Sequence, residues 1–173
     1  MPGTESAPPV VGCWVGVDVG SVRVGVAQSD PHGVLATPVA TLARDDSPAA
    51  VDQQAIAELV AELGATLVVV GLPRLLSGGE GAAATAARTF AGQLARRVAP
   101  VPVRLLDERF TTLDAAGRLR DAGTAAKDQR RMIDQAAAVL ILQDALDAFS
   151  HQGRLPGDTI KARRPRTRKA REA

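Results

Sequence analysis

The alternation of apolar and polar positions changes character once along this chain, and the change divides it into two kinds of structure. Residues 13–19 (Cys-Trp-Val-Gly-Val-Asp-Val) read as a strand, Gly20-Ser21 as a turn, and residues 22–29 as a second, alternating strand. Asp30-Pro31-His32-Gly33 is a second turn signal, and residues 34–42 form a third strand, so the chain opens as an antiparallel meander. From Ser47-Pro48 the period becomes helical. Ser47 is placed to cap and Pro48 to occupy the first turn of a helix with an apolar stripe of Val51, Ala55, Leu59 and Leu63, ended by Gly64.

Residues 67–70 are continuously apolar, as in a strand buried on both faces. Ser77 and Glu80 have capping-box spacing ahead of a helix carrying Ala83, Ala87, Phe90, Leu94 and Val98. Residues 101–106 read as another strand. Thr111 and Asp114 open a short helix ending near Gly123, residues 124–130 form a polar loop, and a last helix covers 131–149. Three antiparallel strands followed by two crossovers predict an α/β fold: a mixed five-stranded sheet, three strands antiparallel and two parallel, flanked by helices. One domain over 12–150 is expected, with a disordered segment at 1–11 and a basic flexible tail at 151–173.

Composition changes this picture in two places. Aromatic residues are scarce (one Trp, three Phe, no Tyr), so the core is built from Ala, Val and Leu, and any grip on nucleic acid must be mainly electrostatic. The net charge of +2 hides an asymmetry: residues 154–173 carry eight basic side chains against Asp158 and Glu172, leaving 13 basic and 17 acidic residues in the body. Such a tail suits either solvation or contact with a phosphate backbone. The single cysteine, Cys13, excludes an intramolecular disulfide and reads as a small packed hydrophobe, an intermolecular disulfide being the alternative if it is exposed. No leader pattern and no apolar run of ~20 residues is present, so a cytoplasmic protein without a membrane partner is expected.

Most acids of the body lie where solvated charge is ordinary, among them Asp45 and Asp46 in a loop and Asp52, Glu58 and Glu62 on a helix surface. Three locations differ. Asp18 interrupts an apolar strand and shares a face with Trp14 and Gly16; it either supports the Gly20-Ser21 turn or binds something. Asp107-Glu108-Arg109 follows a strand, where α/β sheets meet their ligands and where acids also suit a helix dipole. Asp134 is the acid on a face of Ala137, Ala138, Ile141, Ala145 and Ala148, at the expected start of the last helix, with Lys127, Arg130 and Arg131 nearby to meet phosphates. Carboxylates without a His or Cys cluster suit Mg2+ or Mn2+ and phosphodiester hydrolysis rather than a zinc site or a thiol nucleophile.

The motif Gly16-Val17-Asp18-Val19-Gly20-Ser21-Val22-Arg23-Val24-Gly25-Val26-Ala27 resembles the opening of the Holliday-junction-resolvase-like family, also described as pre-16S ribosomal RNA nucleases. Three further blocks agree in order: Val69-Val70-Gly71-Leu72-Pro73 with Gly78, Asp107-Glu108-Arg109-Phe110-Thr111-Thr112, and Ile133-Asp134-Gln135-Ala136-Ala137-Ala138. The resemblance spans residues 13–149. It implies a ribonuclease H-like fold and metal-binding, catalytic carboxylates at Asp18, Glu108 and Asp134, with Asp107 as second choice. It also makes Arg23 and Arg109 candidate phosphate contacts. Arg74 and Ser77 stand where the family commonly has Asn and Asp, which leaves the contacts of that loop open.

The resulting expectation is a Mg2+- or Mn2+-dependent endonuclease acting on precursor ribosomal RNA or branched DNA, as a homodimer if the substrate is a two-fold junction. Two other classes compete. Asp18-Val19-Gly20-Ser21 with Gly25 also looks like the phosphate hairpin of actin-like nucleotide-binding proteins, although those chains are much longer. A nucleic-acid-binding protein without catalysis would use the same basic tail.

Overall fold

Strand β1 (Trp14–Val19) is the pivot of the sheet, because its sequence suits burial on both faces. Val15 and Val17 enter one core, and Trp14 enters the other. In the computed structural model, which describes residues 12–108 and 126–162 (side chains of 126–131 and 133 excepted), β1 pairs antiparallel with β2 (Arg23–Ser29) and parallel with β4 (Leu67–Leu72). Strand β3 (Ala36–Ala43) extends the meander beyond β2, and β5 (Val103–Asp107) continues the parallel part beyond β4. The order is β3-β2-β1-β4-β5-β6, six strands where the sequence predicted five.

The sixth strand, β6 (Asp158–Ile160), runs antiparallel to β5 and comes from the stretch expected to be a flexible tail. Arg104 of β5 explains its docking. The guanidinium donates to the carbonyls of Leu155, Pro156 and Gly157 and to the Thr159 hydroxyl. Gly157 supplies the positive φ of 72°, and its Cα lies against the Leu105 carbonyl where a Cβ would overlap. An exposed edge of β5 is thereby covered. Residues 163–173 and 1–11, like the helix expected near 111–123, lie outside the described residues.

Helices α1 (Val51–Leu63) and α2 (Ala82–Val98) cover one face, and α3 (Ala126–Gln152) covers the other. The first core joins Val15, Val17, Val24 and Val26 to Ile56, Val60, Ala87, Phe90 and Leu94. The second joins Trp14, Leu67 and Val69 to Ala138, Ile141, Leu142, Ala145, Leu146 and Phe149, with Trp14 and Phe149 in an edge-to-face pair at 5.5 Å.

Both expected helix starts are displaced. Ser47-Pro48 makes a turn, closed by Ala50 N–H donating to the Ser47 carbonyl, and α1 begins only after Ala50 in the left-handed region. The buried stripe is therefore Asp52, Gln53, Ile56 and Val60, while Val51 is 60% exposed. Asp52, expected on the solvated surface, is 2% exposed. It accepts from Arg44 at 3.0 Å and from the Asp45 N–H at 3.1 Å, while Arg44 lies over the Phe90 ring at 4.8 Å. Likewise α2 starts after Gly81 with no side-chain cap, because Glu80 is engaged by Arg88 and Arg74 instead of by a capping box. Cys13 is buried and donates its thiol to the Ser29 carbonyl at 2.9 Å, so it is packed rather than presented for an intermolecular disulfide.

α3 rests on the sheet through glycines. A Cβ on Gly16 would stand 2.6 Å from the Leu142 Cβ, and one on Gly25 would overlap the Asp134 carbonyl oxygen. Gly92, inside α2, meets nothing within 4 Å. Gly25→Ala should therefore destabilise the protein by ~1–3 kcal/mol through forced separation of α3 from β2. Gly92→Ala should stabilise it by up to ~1 kcal/mol through helix propensity. Denaturant midpoints of the two variants check both signs; a neutral Gly25→Ala would mean that the helix is not seated on that glycine.

Candidate active site

The carboxyl ends of β1, β4 and β5 lie side by side because these strands are parallel, and the sequence places an acid at two of them. Asp18 is the last but one residue of β1, and strand alternation puts it on the α3 side with Trp14 and Gly16. Glu108 directly follows β5 and lies over Gly71 of β4, where a Cβ would overlap its carboxylate oxygen. Gly71 thus leaves the space that Glu108 and Ile141 fill. Asp134 comes from α3, whose backbone at that residue abuts Gly25, the antiparallel partner of Asp18.

Asp134 is not at a helix start. α3 begins at Ala126, within the stretch expected to be a polar loop, so Asp134 sits more than two turns inside the helix. Placement beside the helix dipole therefore does not account for it. Its local partner is Arg23, the first residue of β2, whose Nε donates to Asp134 Oδ2 at 2.7 Å. Arg23, expected as a phosphate contact, is thus half-buried in an ion pair.

The adjacent acids of the β5 end separate. Asp107 pairs in register with Leu72 and alternates with Leu105, both in the α1–α2 core, and its Oδ2 is 3.5 Å from Arg74 Nε. Glu108 alternates with Leu106, which packs against the α3 core. Arg74 also stands 3.5 Å from Glu80, which in turn is bound by Arg88. Arg74 thus joins the loop after β4 to the end of β5, and Arg88 ties that loop to α2 through Glu80. In the sequence, the departure at Arg74 was the only sign of that role.

Burial and mutual repulsion dominate the electrostatics. Asp18 is pushed up to about 6, first by burial and then by the charge of Asp134. Glu108 is pushed up to about 7 by burial, then by Asp18, then by Asp107. The three acids therefore form a chain of repulsions with Asp18 in the middle. Among the described residues, no three Asp, Glu, His or Cys side chains converge as a ready cage for an ion. The donor set is oxygen-only and its acids repel one another, which suits a hard divalent cation. Arg109, and the side chains of Lys127, Arg130 and Arg131, lie outside the described residues.

The chain is similar to known proteins over most of its length. The family model described as RuvX, Holliday junction resolvase, matches residues 12–148. A protein of Mycolicibacterium paratuberculosis named "Putative pre-16S rRNA nuclease" is 55% identical over 157 residues, covering 91% of this chain and 93% of its own. A relative of the same name from Streptomyces coelicolor is 53% identical over 145 residues, covering 84% and 86%. Among solved structures, T. thermophilus RuvC in complex with Holliday junction substrate matches with a TM-score of 0.52 over 85% of this chain and 98% of that chain, at 14% identity. That likeness is one of fold, the ribonuclease H-like mixed sheet flanked by helices. With most of its length matched by one family model and by relatives above half identity, the chain belongs to the RuvX Holliday junction resolvase family.

Proposed function

We propose that the protein is a metal-dependent endonuclease that hydrolyses phosphodiester bonds of structured nucleic acid at Asp18, Glu108 and Asp134. The observation that carries this reading is the pair Asp18 and Glu108, held on one face at the carboxyl ends of parallel strands with both carboxyls raised. Crowding buried carboxylates costs stability, and such sites are where function is concentrated. Mg2+ or Mn2+ would be held by Asp18 and Glu108 with Asp134; Asp107, on the opposite side with Arg74, is the weaker candidate ligand. When bound, the metal supplies charge neutralisation at the phosphate and a more acidic water. The chain's own residues orient the strand: Arg23, and from the segments beyond the described side chains Arg109, Lys127, Arg130 and Arg131, supply guanidinium and ammonium groups for phosphate oxygens.

Precursor 16S RNA is the first substrate to assay, because the relatives sharing more than half of their residues with this chain carry that name. Branched DNA is the second, on the description of the family model. A junction resolvase would act as a two-fold dimer, whereas an RNA trimmer needs no partner copy, so solution mass bears on the choice. A reducing cytoplasm suits the buried free Cys13. No helix among the described residues is long and apolar enough to cross a membrane.

Three outcomes follow. Asp18→Asn and Glu108→Gln should each lower cleavage on the order of a hundredfold or more while nucleic-acid binding survives; gel assays with both substrates read this, and a variant that cuts like wild type removes its residue from the site. Absence of cleavage by the wild-type protein on both substrates would leave the non-catalytic and nucleotide-binding classes standing.

The second outcome concerns pH. Both carboxyls are raised above their ordinary values of 3.8 and 4.5, so these two groups hold more protons in the folded protein than in the unfolded chain between about pH 4 and about pH 7. Their contribution to the stability of the metal-free protein therefore falls as pH rises through that window. Asp18→Asn should raise stability at pH 8 by roughly 1–3 kcal/mol and change it little at pH 4. Thermal melts at the two pH values test the sign, and a variant less stable than wild type at pH 8 contradicts it.

The third concerns residues 163–173. Removing them leaves β6 intact and deletes six basic side chains. The salt dependence of nucleic-acid binding should flatten by about 0.9 slope units per lost phosphate contact; an unchanged slope would assign the tail to solvation.

A further inference from the structure

Arg23 is paired with Asp134 as the acids of the site stand. The pair is short, 2.7 Å, yet both side chains keep about a quarter to a third of their exposure, 31% for Arg23 and 25% for Asp134. Solvent reaches both, so the pair is held weakly and exchanges readily. Asp134 repels Asp18, and Asp18 repels Glu108, so the three acids sit within electrostatic reach of one another. Even so, the described residues present no cage of three acids, and Oδ2 of Asp134 is taken up by the guanidinium. Arg23 reaches it from a fixed base. The residue begins β2, its carbonyl accepts from Gly20 N–H at 2.8 Å, and it lies on the α3 side with Gly25.

We propose that Arg23 is an internal counter-cation that competes with the divalent metal for Asp134. This rests on the metal-dependent reading of the site and adds a coupling to it. A guanidinium beside Asp134 lowers the affinity of the acid cluster for a second cation, and by linkage a bound divalent ion weakens the Arg23–Asp134 pair by the same factor. Arg23 thereby serves two states. Without metal it neutralises the outermost acid of a crowded cluster. With metal its planar fork of donors is released at the rim of the site, where a phosphate of the substrate strand is the next anion. The side chain is a positioning group in the first state and a phosphate ligand in the second.

Mn2+ titration calorimetry on the full chain tests the coupling without using cleavage. Arg23→Gln should bind Mn2+ more tightly than wild type, by roughly fivefold or more. Arg23→Lys keeps the charge and should stay close to wild type. In an Asp134→Asn background the Arg23→Gln effect should vanish, which separates competition at Asp134 from a general change of charge. Thermal melts establish that each variant is folded. Tighter binding by Arg23→Gln, abolished in the Asp134→Asn background, supports the proposal. Equal or weaker binding by folded Arg23→Gln overturns it and leaves the metal site standing, as does a gain that persists without Asp134. Failure of wild type to bind Mn2+ at all overturns both this inference and the reading beneath it.

Discussion

The seating of α3 on glycines is the constraint from which the site follows. Gly16, Gly25 and Gly71 lie on one face of three adjacent strands, and each leaves a gap that a Cβ would fill. Over Gly16 comes Leu142, over Gly25 the backbone of Asp134, and over Gly71 the carboxylate of Glu108 with Ile141. Close approach of this kind is a packing device, since it lets helix and sheet share a core of Ala and Leu with few aromatics. It is also what brings Asp134 to Asp18. A helix held off by one more methyl layer would carry Asp134 away from the strand ends while leaving the fold recognisable.

That seating sets the charge problem of the molecule. Burial and proximity raise Asp18 and Glu108 together, so the metal-free fold carries a cost at neutral pH that a bound cation would offset. The opposite treatment of acids elsewhere makes the contrast plain. Asp52 is buried more deeply than any of the three, yet it has Arg44 and a backbone N–H as partners. Asp30, at the meander turn, is lowered by N–H donors from Leu35, Val34 and His32. Both of those carboxylates are fully serviced by their surroundings. At the site the acids crowd one another, with Arg23 paired to Asp134 on one side and Arg74 beside Asp107 on the other.

The meander and the parallel strands were legible in the sequence. Asp18 and Asp134 stood out because each interrupts an apolar pattern that packing otherwise enforces, whereas Glu108 stood out only as one of two acids following a strand and was preferred to Asp107 on the family resemblance. Helix starts were less legible. Ser47-Pro48 and Ser77 with Glu80 have the composition of caps, but Asp45 and Ser47 organise a turn, and Glu80 is drawn to Arg74 and Arg88, six and eight residues away. Other side-chain partners, a turn at Asp45 and ion pairs at Glu80, displace the expected caps. Asp52 and Arg44 were hidden for the same reason, since a charged residue next to apolar ones reads as surface until its partner is known. The sixth strand was invisible because its three residues carry almost no pattern; it depends on what Arg104 gathers from the preceding loop.

The choice between Asp107 and Glu108 shows how a strand end resolves what composition cannot. Both residues are acids, both are adjacent, and either fits a motif. β5 ends in the same alternation that began at Val103, so one acid must face α2 and its neighbour α3. The α2 side holds Arg74, bound in turn to the loop after β4, and Asp107 is used there as a structural tie. The α3 side holds Gly71 and, across it, Asp18. Each acid of the pair therefore has a separate task, and exchanging Asp107 for Glu108 in the site would require slipping β5 by one residue. Such a slip would turn Leu105 out of the α1–α2 core and set Leu106 in its place. The register that packs the core is thus the register that sets Glu108, and not Asp107, on the face of Asp18.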